Sequence, residues 1–295
     1  MIGSTRSCGI AARNTAAIKC WGWNGGGQLG DGTNTASNTP VAVAGITGAT
    51  EITAWGYNTC ALLADTTVKC WGYNGFGQLG NRTIPNSNTP VAVIGVTSAT
   101  AISTGFYHSC ALLVDTTVRC WGFNGYGALG DGTSADSNTS VAVVGITGAT
   151  AISTGRYHSC ALLADTTIKC WGTNPFGQLG NGTNTSSFTA AGVVGITGAT
   201  AITSGNIHSC ALLADTTVKC WGNNDYGQRG SYNYISYAMA SVYGITGATA
   251  IAAGVLHSCA LLADTTVQCW GYNNLGQLGN GTTTNSQLPV TVASL

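Results

Sequence analysis

Charged side chains are scarce in this sequence of 295 residues. Asp, Glu, Lys and Arg together make up 7% of the chain, and ten basic residues balance ten acidic ones. An ordinary globular protein has about 25% charged residues. The balanced charge leaves no basic surface for nucleic acid and no charge pattern for an anionic membrane surface. We therefore expect neither kind of partner.

Residues that could perform general acid–base catalysis are nearly absent. Glu51 is the single glutamate, and Asp136 and Asp225 are isolated. No nucleophile elbow, phosphate-binding loop or His-Glu-x-x-His motif occurs. The sequence therefore predicts no enzymatic activity, no catalytic residue and no cofactor. Five of the aspartates instead occupy one repeated turn: Asp65, Asp115, Asp165, Asp215 and Asp264.

Long apolar segments are missing as well. No run of 18 apolar residues occurs, so we do not expect the chain to insert directly into a membrane. The first residues, MIGSTRSC, lack the basic and apolar regions of a secretion signal. Any such signal is expected to have been removed or to belong to a longer parent protein.

The sequence is dominated by a repeat. The dipeptide Cys-Trp begins at residues 20, 70, 120, 170, 220 and 269. Each unit contains four short segments rich in β-branched and small residues, which in the third copy read ATAISTG, HSCALL, TVRCWG and VAVVGI. Gly, Asp, Asn or Thr bounds each segment, as is typical of short antiparallel strands. We predict one all-β domain over residues 1–295, a β-propeller of six four-stranded blades.

Two cysteines recur in the central hairpin of every predicted blade. Nine residues separate Cys60 from Cys70, as in the next four copies, and eleven separate Cys8 from Cys20. Because both numbers are odd, the two cysteines fall opposite one another, within reach of a disulfide. One bridge per blade indicates an oxidising, extracellular or cell-surface location. The alternative is twelve buried free thiols: Cys8, Cys20, Cys60, Cys70, Cys110, Cys120, Cys160, Cys170, Cys210, Cys220, Cys259 and Cys269.

The repeat resembles that of a known family. The string G-x-x-HSCAL followed by V-x-CWG-x-N-x-x-GQLG-x-GT is similar to the repeat of the regulator of chromosome condensation family, whose members form β-propellers, and it covers all six units. That family typically has seven blades, and its intracellular type member lacks the paired cysteines. The resemblance therefore implies a secreted bacterial-type branch. It also implies guanine nucleotide exchange as a less favoured activity, which conflicts with twelve paired cysteines.

The first repeat is shorter than the others. Each later hairpin follows a strand such as ATAISTG, whereas only MIGSTRS precedes Cys8. We expect the first blade to lack its first strand, unless residues 1–7 or a neighbouring chain supply it. An unpaired strand edge is a template for another strand. The sequence thus keeps open a structural role, in which chains assemble into an extracellular filament or surface layer.

Two of the four connections in each repeat vary strongly among the copies. The variable connections, G-x-x-H and WG-x-N-x-x-G, join strands one to two and three to four, so they lie on the same face of a blade. Tyr and Trp are enriched at binding hot spots, and a bacterial propeller-type β-lactamase inhibitor with a similar repeat grips its protein target by such a loop face. Packing of the rings on neighbouring blades is the alternative. The predicted partner-binding residues are Trp23, Trp55, Tyr57, Tyr73, Phe76, Phe106, Tyr107, Phe123, Tyr126, Arg156, Tyr157, Phe176, Tyr226 and Tyr272.

Two further features have structural interpretations. Histidines precede Ser-Cys in four copies, but side chains from separate blades are too far apart for one metal ion, so we predict no metal site and expect each histidine to bond within its own blade. The fifth copy carries a tyrosine-rich departure at residues 227–244, which is either a degenerate repeat or a contact surface. The function predicted overall is non-enzymatic extracellular recognition of a protein or glycan.

Overall fold

The structure is a computed structural model that describes residues 6–10, 17–232 and 239–293. All regular secondary structure in these ranges is β-strand. None of the described residues belongs to a helix that could cross a membrane. The chain divides into two compact units, Met1–Thr147 and Gly148–Leu295, and each unit contains three antiparallel sheets.

The described residues of the first unit form eleven strands. Within each sheet the strands are hydrogen-bonded in chain order, β1-β2-β3, β4 to β7 and β8 to β11. Their bounds are β1 Arg6–Ile10, β2 Ile18–Gly22, β3 Ser37–Ala42, β4 Ala49–Trp55, β5 Asn58–Leu63, β6 Val68–Gly72, β7 Ser87–Ala92, β8 Ala99–Thr104, β9 His108–Leu113, β10 Val118–Gly122 and β11 Ser137–Ala142.

The second unit, in the part of the chain that the structure describes, has twelve strands in three four-stranded sheets, again in chain order. Their bounds are β12 Ala149–Thr154, β13 His158–Leu163, β14 Ile168–Gly172, β15 Ser187–Gly192, β16 Ala199–Ser204, β17 His208–Leu213, β18 Val218–Gly222, β19 Ala240–Ser241, β20 Ala248–Ala253, β21 His257–Leu262, β22 Val267–Gly271 and β23 Ser286–Thr291. The predicted fold class, an all-β propeller with one sheet per repeat, is confirmed.

The first sheet has three strands within the described residues, and β1 is its outermost member. β1 corresponds to the second strand of the other sheets, because it carries the first cysteine of its repeat. The expectation that the first blade lacks its first strand is thus met in this part of the chain. Residues 1–5 lie outside the described ranges.

The middle strands of each sheet are buried on both faces. All six residues of β5, β13 and β17 are buried, which explains why HSCALL and its variants show no polar alternation. The fourth strands are half-exposed and carry the polar SNT segments. A small core therefore forms between successive sheets rather than at one centre, as in the cluster of Ile18, Leu29, Val43, Ile46 and Trp71.

Every cysteine forms a disulfide within its own repeat, as predicted. Cys60 and Cys70 are directly opposite in the β5–β6 register, and their Cα atoms lie 4.1 Å apart. The chain has no free cysteine. The bridges are Cys8–Cys20, Cys60–Cys70, Cys110–Cys120, Cys160–Cys170, Cys210–Cys220 and Cys259–Cys269.

Buried tryptophans join successive sheets within each unit. The Trp71 indole is fully buried and donates a hydrogen bond of 2.9 Å to the backbone carbonyl of Gln28 in the preceding repeat. Gly30 has φ +71°, and a Cβ there would lie 2.6 Å from the Trp71 indole nitrogen. This close approach explains the GQLG segment. The same bond recurs in the pairs Trp121–Gln78, Trp221–Gln178 and Trp270–Gln228.

The constant ADTT turn connects successive sheets at their other end. Thr66 adopts a left-handed backbone with φ 65°, which is unusual for a β-branched residue. Its hydroxyl donates to the carbonyl of Thr97 at 2.8 Å, and its own carbonyl accepts from the N–H of Ala99. The turn therefore holds the start of the next repeat, which explains why both it and the GITGAT connection hardly vary. Hydrogen bonds from Thr67 lower the pKa of Asp65 within this turn.

Candidate binding surface

The two variable loops of each repeat lie at the same end of their sheet. The backbone N–H of Tyr73, in the loop after strand three, donates to the carbonyl of Tyr57, in the loop after strand one, at 2.9 Å. Phe123 makes the same bond to Tyr107, and Thr173, Asn223 and Tyr272 make it in the second unit. The predicted pairing of these loops on one face of each blade is confirmed.

A buried asparagine and an exposed glycine position the aromatic residue of the WG-x-N-x loop. The buried amide of Asn74 accepts from the N–H of Leu79 and donates to the carbonyl of Thr83. The preceding Tyr73 ring folds back over Gly75, where a Cβ would lie 2.6 Å from Tyr73 Cζ. Trp23 lies over Gly25 and Phe123 over Gly125 in the same way. The first three repeats therefore share the sequence aromatic-Asn-Gly, whereas the last three read TNP, NND and YNN.

Nine predicted residues of the first unit form one connected network of rings, which we call the aromatic surface. Tyr57 is central, with ring centroids 5.9 Å from Trp23, 6.0 Å from Tyr73, 5.1 Å from Phe106 and 5.7 Å from Tyr107. Further contacts of Trp55 with Phe106, Phe76 with Phe123 and Phe123 with Tyr126 complete it. The members are Trp23, Trp55, Tyr57, Tyr73, Phe76, Phe106, Tyr107, Phe123 and Tyr126.

The aromatic surface is partly open to solvent. Trp23 is 43% exposed and Tyr126 is 49% exposed, and the other seven side chains are half-buried. The rings pack on neighbouring repeats and also present area to solvent, and their role in binding a partner stays a prediction. A contiguous patch of this kind marks an interaction site more often than scattered apolar residues do.

Four rings of this surface enclose a cleft of about 270 Å³, which we call the aromatic cleft. It is lined by Trp23, Tyr57, Tyr73 and Tyr107. The Tyr57 ring is stacked on Tyr107 with an interplanar angle of 21° and meets Trp23 and Tyr73 edge to face. No carboxylate or amine lines the cleft within the described residues. The arrangement presents broad ring faces to a ligand.

The five predicted residues of the second unit form smaller groups. The Arg156 guanidinium lies 5.1 Å from the Tyr157 ring centroid, and Tyr226 meets Tyr272 edge to face at 5.1 Å. Phe176 is 37% exposed. Leu275 occupies the position of Phe76 and Tyr126 and is 77% exposed. The sequence prediction omitted Leu275 because it counted only aromatic and cationic side chains.

His158 and His208 join successive repeats, so the hydrogen bond expected within one blade is wrong for these two histidines. His208 Nε2 lies 2.8 Å from the Ser258 hydroxyl of the next repeat, and His158 Nε2 lies 2.9 Å from Ser209. The Ser258 hydroxyl donates its proton to the Gln228 carbonyl, so it must accept from the histidine. The ring is therefore the neutral Nε2–H tautomer, and burial lowers the pKa of His208 to about 3.

Other residue types take the histidine position in the first two repeats. Asn58 donates to the Ser109 hydroxyl at 3.0 Å, and Arg6 donates to the Thr59 hydroxyl at 2.8 Å and to the Gly56 carbonyl at 2.8 Å. Burial lowers the pKa of Arg6 to about 9. All of these bonds lie between repeats, so the position is structural. Within the described ranges no three His, Cys, Asp or Glu side chains are placed to hold a metal ion.

Part of the tyrosine-rich fifth repeat lies outside the described residues. Tyr234 and Tyr237 fall in residues 233–238, while Tyr232 is described and is 64% exposed. Arg229 replaces the leucine of GQLG, is fully buried, and donates to the Gly222 carbonyl at 3.3 Å. The repeat keeps its disulfide and its Trp270 contact, but within the described residues its fourth strand, β19, spans two residues instead of six.

Comparisons with known proteins agree with the repeat and the sheets. A family model described as the RCC1-like domain matches residues 2–295. A search of curated proteins gives no match.

Solved structures similar to this chain come from Saccharomyces cerevisiae, human and Physcomitrella patens. Prp20p of Saccharomyces cerevisiae has 19% identity and a TM-score of 0.85, over 99% of this chain and 76% of that one. Human WBSCR16 has 20% identity and a TM-score of 0.81, over 92% and 78%. The ectodomain of the Physcomitrella patens receptor kinase CR4 has 22% identity and a TM-score of 0.58, over 91% and 59%. At these identities the likeness concerns the fold.

Proposed function

This chain belongs to the RCC1-like domain family, and from that premise we propose that it is an extracellular binding protein that recognises a protein or glycan through its aromatic surface. The connected set of nine part-exposed rings in the first unit carries the proposal. Large aromatic side chains give contact area at low entropic cost, and they dominate binding hot spots. The aromatic cleft is lined by ring faces, which supports a role in recognition.

The disulfides support the proposed location. All twelve cysteines are paired, and stable disulfides of this kind form in oxidising compartments. A similar fold occurs in the CR4 ectodomain, which stands outside the cell. Prp20p has binding properties toward Gsp1p and histones. Histone binding calls for a charged surface, and 7% charge with zero net charge makes a similar partner the weaker candidate here.

The experiment compares partner capture by matched surface variants of the oxidised full-length chain. Trp23→Ala with Tyr126→Ala removes two exposed rings of the aromatic surface, and Asp65→Ala with Asp115→Ala changes the opposite ends of the sheets. The probes are an extracellular protein extract, quantified by mass spectrometry, and a glycan array. We expect ligands bound by the wild type and by the aspartate variant to be lost with the aromatic variant. Equal capture by all three proteins would refute the proposal.

A second candidate function, structural self-assembly, is favoured by the edge of β1. β1 has a strand neighbour on one side only within the described residues. A free edge can accept a strand from another chain. Light scattering of the native protein decides between the candidates. A mass that grows with concentration, and that a substitution of Gly9 by Pro in β1 abolishes, would favour assembly, whereas the mass of one chain at all concentrations would favour recognition.

A further inference from the structure

The junctions between successive repeats inside each unit share one hydrogen-bond arrangement. The backbone carbonyl of Gln28 accepts two bonds from the second repeat, from the Trp71 indole at 2.9 Å and from the Thr59 hydroxyl at 3.0 Å. In the second unit the carbonyl of Gln228 accepts the same two bonds from the sixth repeat. The other two junctions inside the units repeat the pattern. A junction therefore joins a tryptophan and a hydroxyl residue of the later repeat to a glutamine carbonyl of the earlier one.

The first repeat carries the two donors of such a junction in an exposed form. Trp21 and Ser7 take the positions of Trp71 and Thr59, next to the paired cysteines. Trp21 is 36% exposed and Ser7 is exposed, whereas Trp71 and Thr59 are fully buried. Neither the Trp21 indole N–H nor the Ser7 hydroxyl makes a hydrogen bond to a described residue. We call the surface that these two side chains form the first end face.

The sixth repeat carries the opposite half of the junction. Its GQLG segment contains Gln277 and Gly279, and the backbone carbonyl of Gln277 accepts no hydrogen bond from any residue that the structure describes. Gly279 is exposed, and a Cβ built there would meet only Val292 of the same repeat. At Gly30, the equivalent position of the first repeat, a Cβ would instead lie 2.6 Å from the Trp71 indole nitrogen. The sixth repeat thus has an open place for an indole ring.

An exposed leucine extends this open surface of the sixth repeat. Leu261 takes the position of Leu62, which packs in one core cluster with Trp121 of the following repeat. Leu62 is 6% exposed, whereas Leu261 is 40% exposed. An apolar side chain that is buried at the junctions inside the units is therefore open to solvent here, as is typical of an interaction surface. We call the surface formed by Leu261, Gln277 and Gly279 the last end face.

The two end faces are complementary, and a second copy of the chain supplies both. We infer that the last end face of one chain binds the first end face of another, with Trp21 and Ser7 donating to the Gln277 carbonyl and the Trp21 indole lying over Gly279. A partner of another fold would have to reproduce this carbonyl and this glycine, whereas a second copy already carries them. Because the two faces differ, the contact is heterologous and chains stack head to tail. The inference goes beyond the proposed function, since none of these residues belongs to the aromatic surface.

The test measures the mass of the oxidised full-length chain by analytical ultracentrifugation over a range of concentrations. Ser7→Glu places a charge on the first end face, and Leu261→Glu places one on the last. Both side chains are exposed in the single chain, so neither substitution empties a core position. The wild-type mass should grow with concentration. Each variant should weaken this association roughly tenfold or more, because the contact would bury a charge without a partner.

A mixture of the two variants tests the head-to-tail geometry directly. The Ser7→Glu chain keeps an intact last end face, and the Leu261→Glu chain keeps an intact first end face. At a concentration where each variant alone has the mass of one chain, the mixture should form a dimer with one chain of each kind. It should form nothing larger, because the other end of each chain in that dimer is blocked. A mixture that stays at the mass of one chain would overturn the inference.

Val114→Glu is the matched control, because it adds the same charge at an apolar side chain that is 65% exposed and lies in the third repeat, away from both end faces. Its association should stay within about twofold of the wild type. Trp21→Ala is a second variant of the first end face and should also weaken association, with thermal unfolding checking that the chain still folds. A wild-type mass of one chain at every concentration would overturn the inference. Growth of the mass that Leu261→Glu leaves unchanged would overturn it too, and would place the contact elsewhere, for example at the edge of β1.

Discussion

At the scale of single residues, different side chains make the same hydrogen bond at one position of the repeat. Arg6, Asn58 and His208 each donate to a hydroxyl of the next repeat. That hydroxyl in turn donates to a backbone carbonyl of its neighbour, as Ser258 does to Gln228. A donor is therefore required at this position, and the residue type is free. The histidine form adds a dependence on pH that the asparagine form lacks.

His208→Asn tests this dependence. The folded-state pKa of His208, about 3, is below its unfolded value near 6.5. The unfolded chain therefore binds a proton that the folded chain excludes, so stability is full above about pH 6.5 and declines as pH falls toward 3. Between pH 7 and pH 5 this histidine should cost the wild type roughly 2 kcal/mol of unfolding free energy. His208→Asn should lose correspondingly less over that interval in chemical unfolding with the disulfides intact.

The control for this experiment is His208→Ala. It removes both the donor and the ring from a fully buried site and should cost about 3 kcal/mol at pH 7. His208→Asn should cost about 1 kcal/mol there, because Asn58 shows that an amide can make the same bond. Equal pH dependence in the wild type and His208→Asn would show that His208 is not the responsible group.

At the scale of elements, successive sheets within a unit are held together by a tryptophan lying against a glycine. Gly30 faces the Trp71 indole, while Gly32 has a similar left-handed backbone, φ +86°, and a Cβ added there would meet no heavy atom within 4 Å. Arg82 occupies the position of Gly32 in the next repeat with φ 66°, so a side chain is tolerated there. Gly30 therefore combines a left-handed backbone with a contact between sheets, whereas Gly32 has the left-handed backbone alone.

Gly30→Ala should therefore be far more damaging than Gly32→Ala. The first adds a clash with a fully buried ring to the left-handed backbone cost and should lower the unfolding free energy by about 3 kcal/mol or more. The second should cost about 1 kcal/mol, from the backbone alone. Thermal unfolding of the two variants side by side measures the difference, and equal losses would contradict the role given to the Trp71 contact.

The strands and disulfides could be predicted from the sequence because they depend on local pattern. The odd spacing of Cys60 and Cys70 and the period of the Cys-Trp dipeptide carry that information directly. Hydrogen bonds between repeats leave no such pattern in the sequence. The bond of His208 was therefore predicted within its own repeat, whereas its partner is Ser258 of the next repeat. The sequence does carry a signal for the aromatic loops of the first three repeats, because a glycine follows Trp23-Asn, Tyr73-Asn and Phe123-Asn. The corresponding loops of the last three repeats lack that glycine.

At the scale of the whole molecule, the scarcity of charge shapes how partners should associate. The chain has no net charge, and the aromatic cleft is lined by rings alone within the described residues. Electrostatic steering of an incoming partner should therefore be weak, and affinity should come from contact area.

Partner affinity should therefore depend little on salt concentration. Partner affinity should change by less than about twofold between roughly 0.05 M and 0.5 M NaCl, because screening acts on charges that the surface does not have. Titration by calorimetry at the two salt concentrations checks it. A steep loss of affinity at high salt would place the contact elsewhere, for example at the Arg156–Tyr157 pair.

The placement of the disulfides has a further consequence. In the second to sixth repeats the bridge closes a hairpin whose turn is exposed, as at Asp65 between Cys60 and Cys70. A protease that nicks such a turn leaves two fragments that stay covalently joined, so the damage is visible on a gel only after reduction. A cut in a connection between sheets leaves two fragments that no disulfide joins, since no bridge spans two repeats. Resistance to proteolysis thus depends on the connections between sheets, where Thr66 and its counterparts make hydrogen bonds to the start of the next repeat.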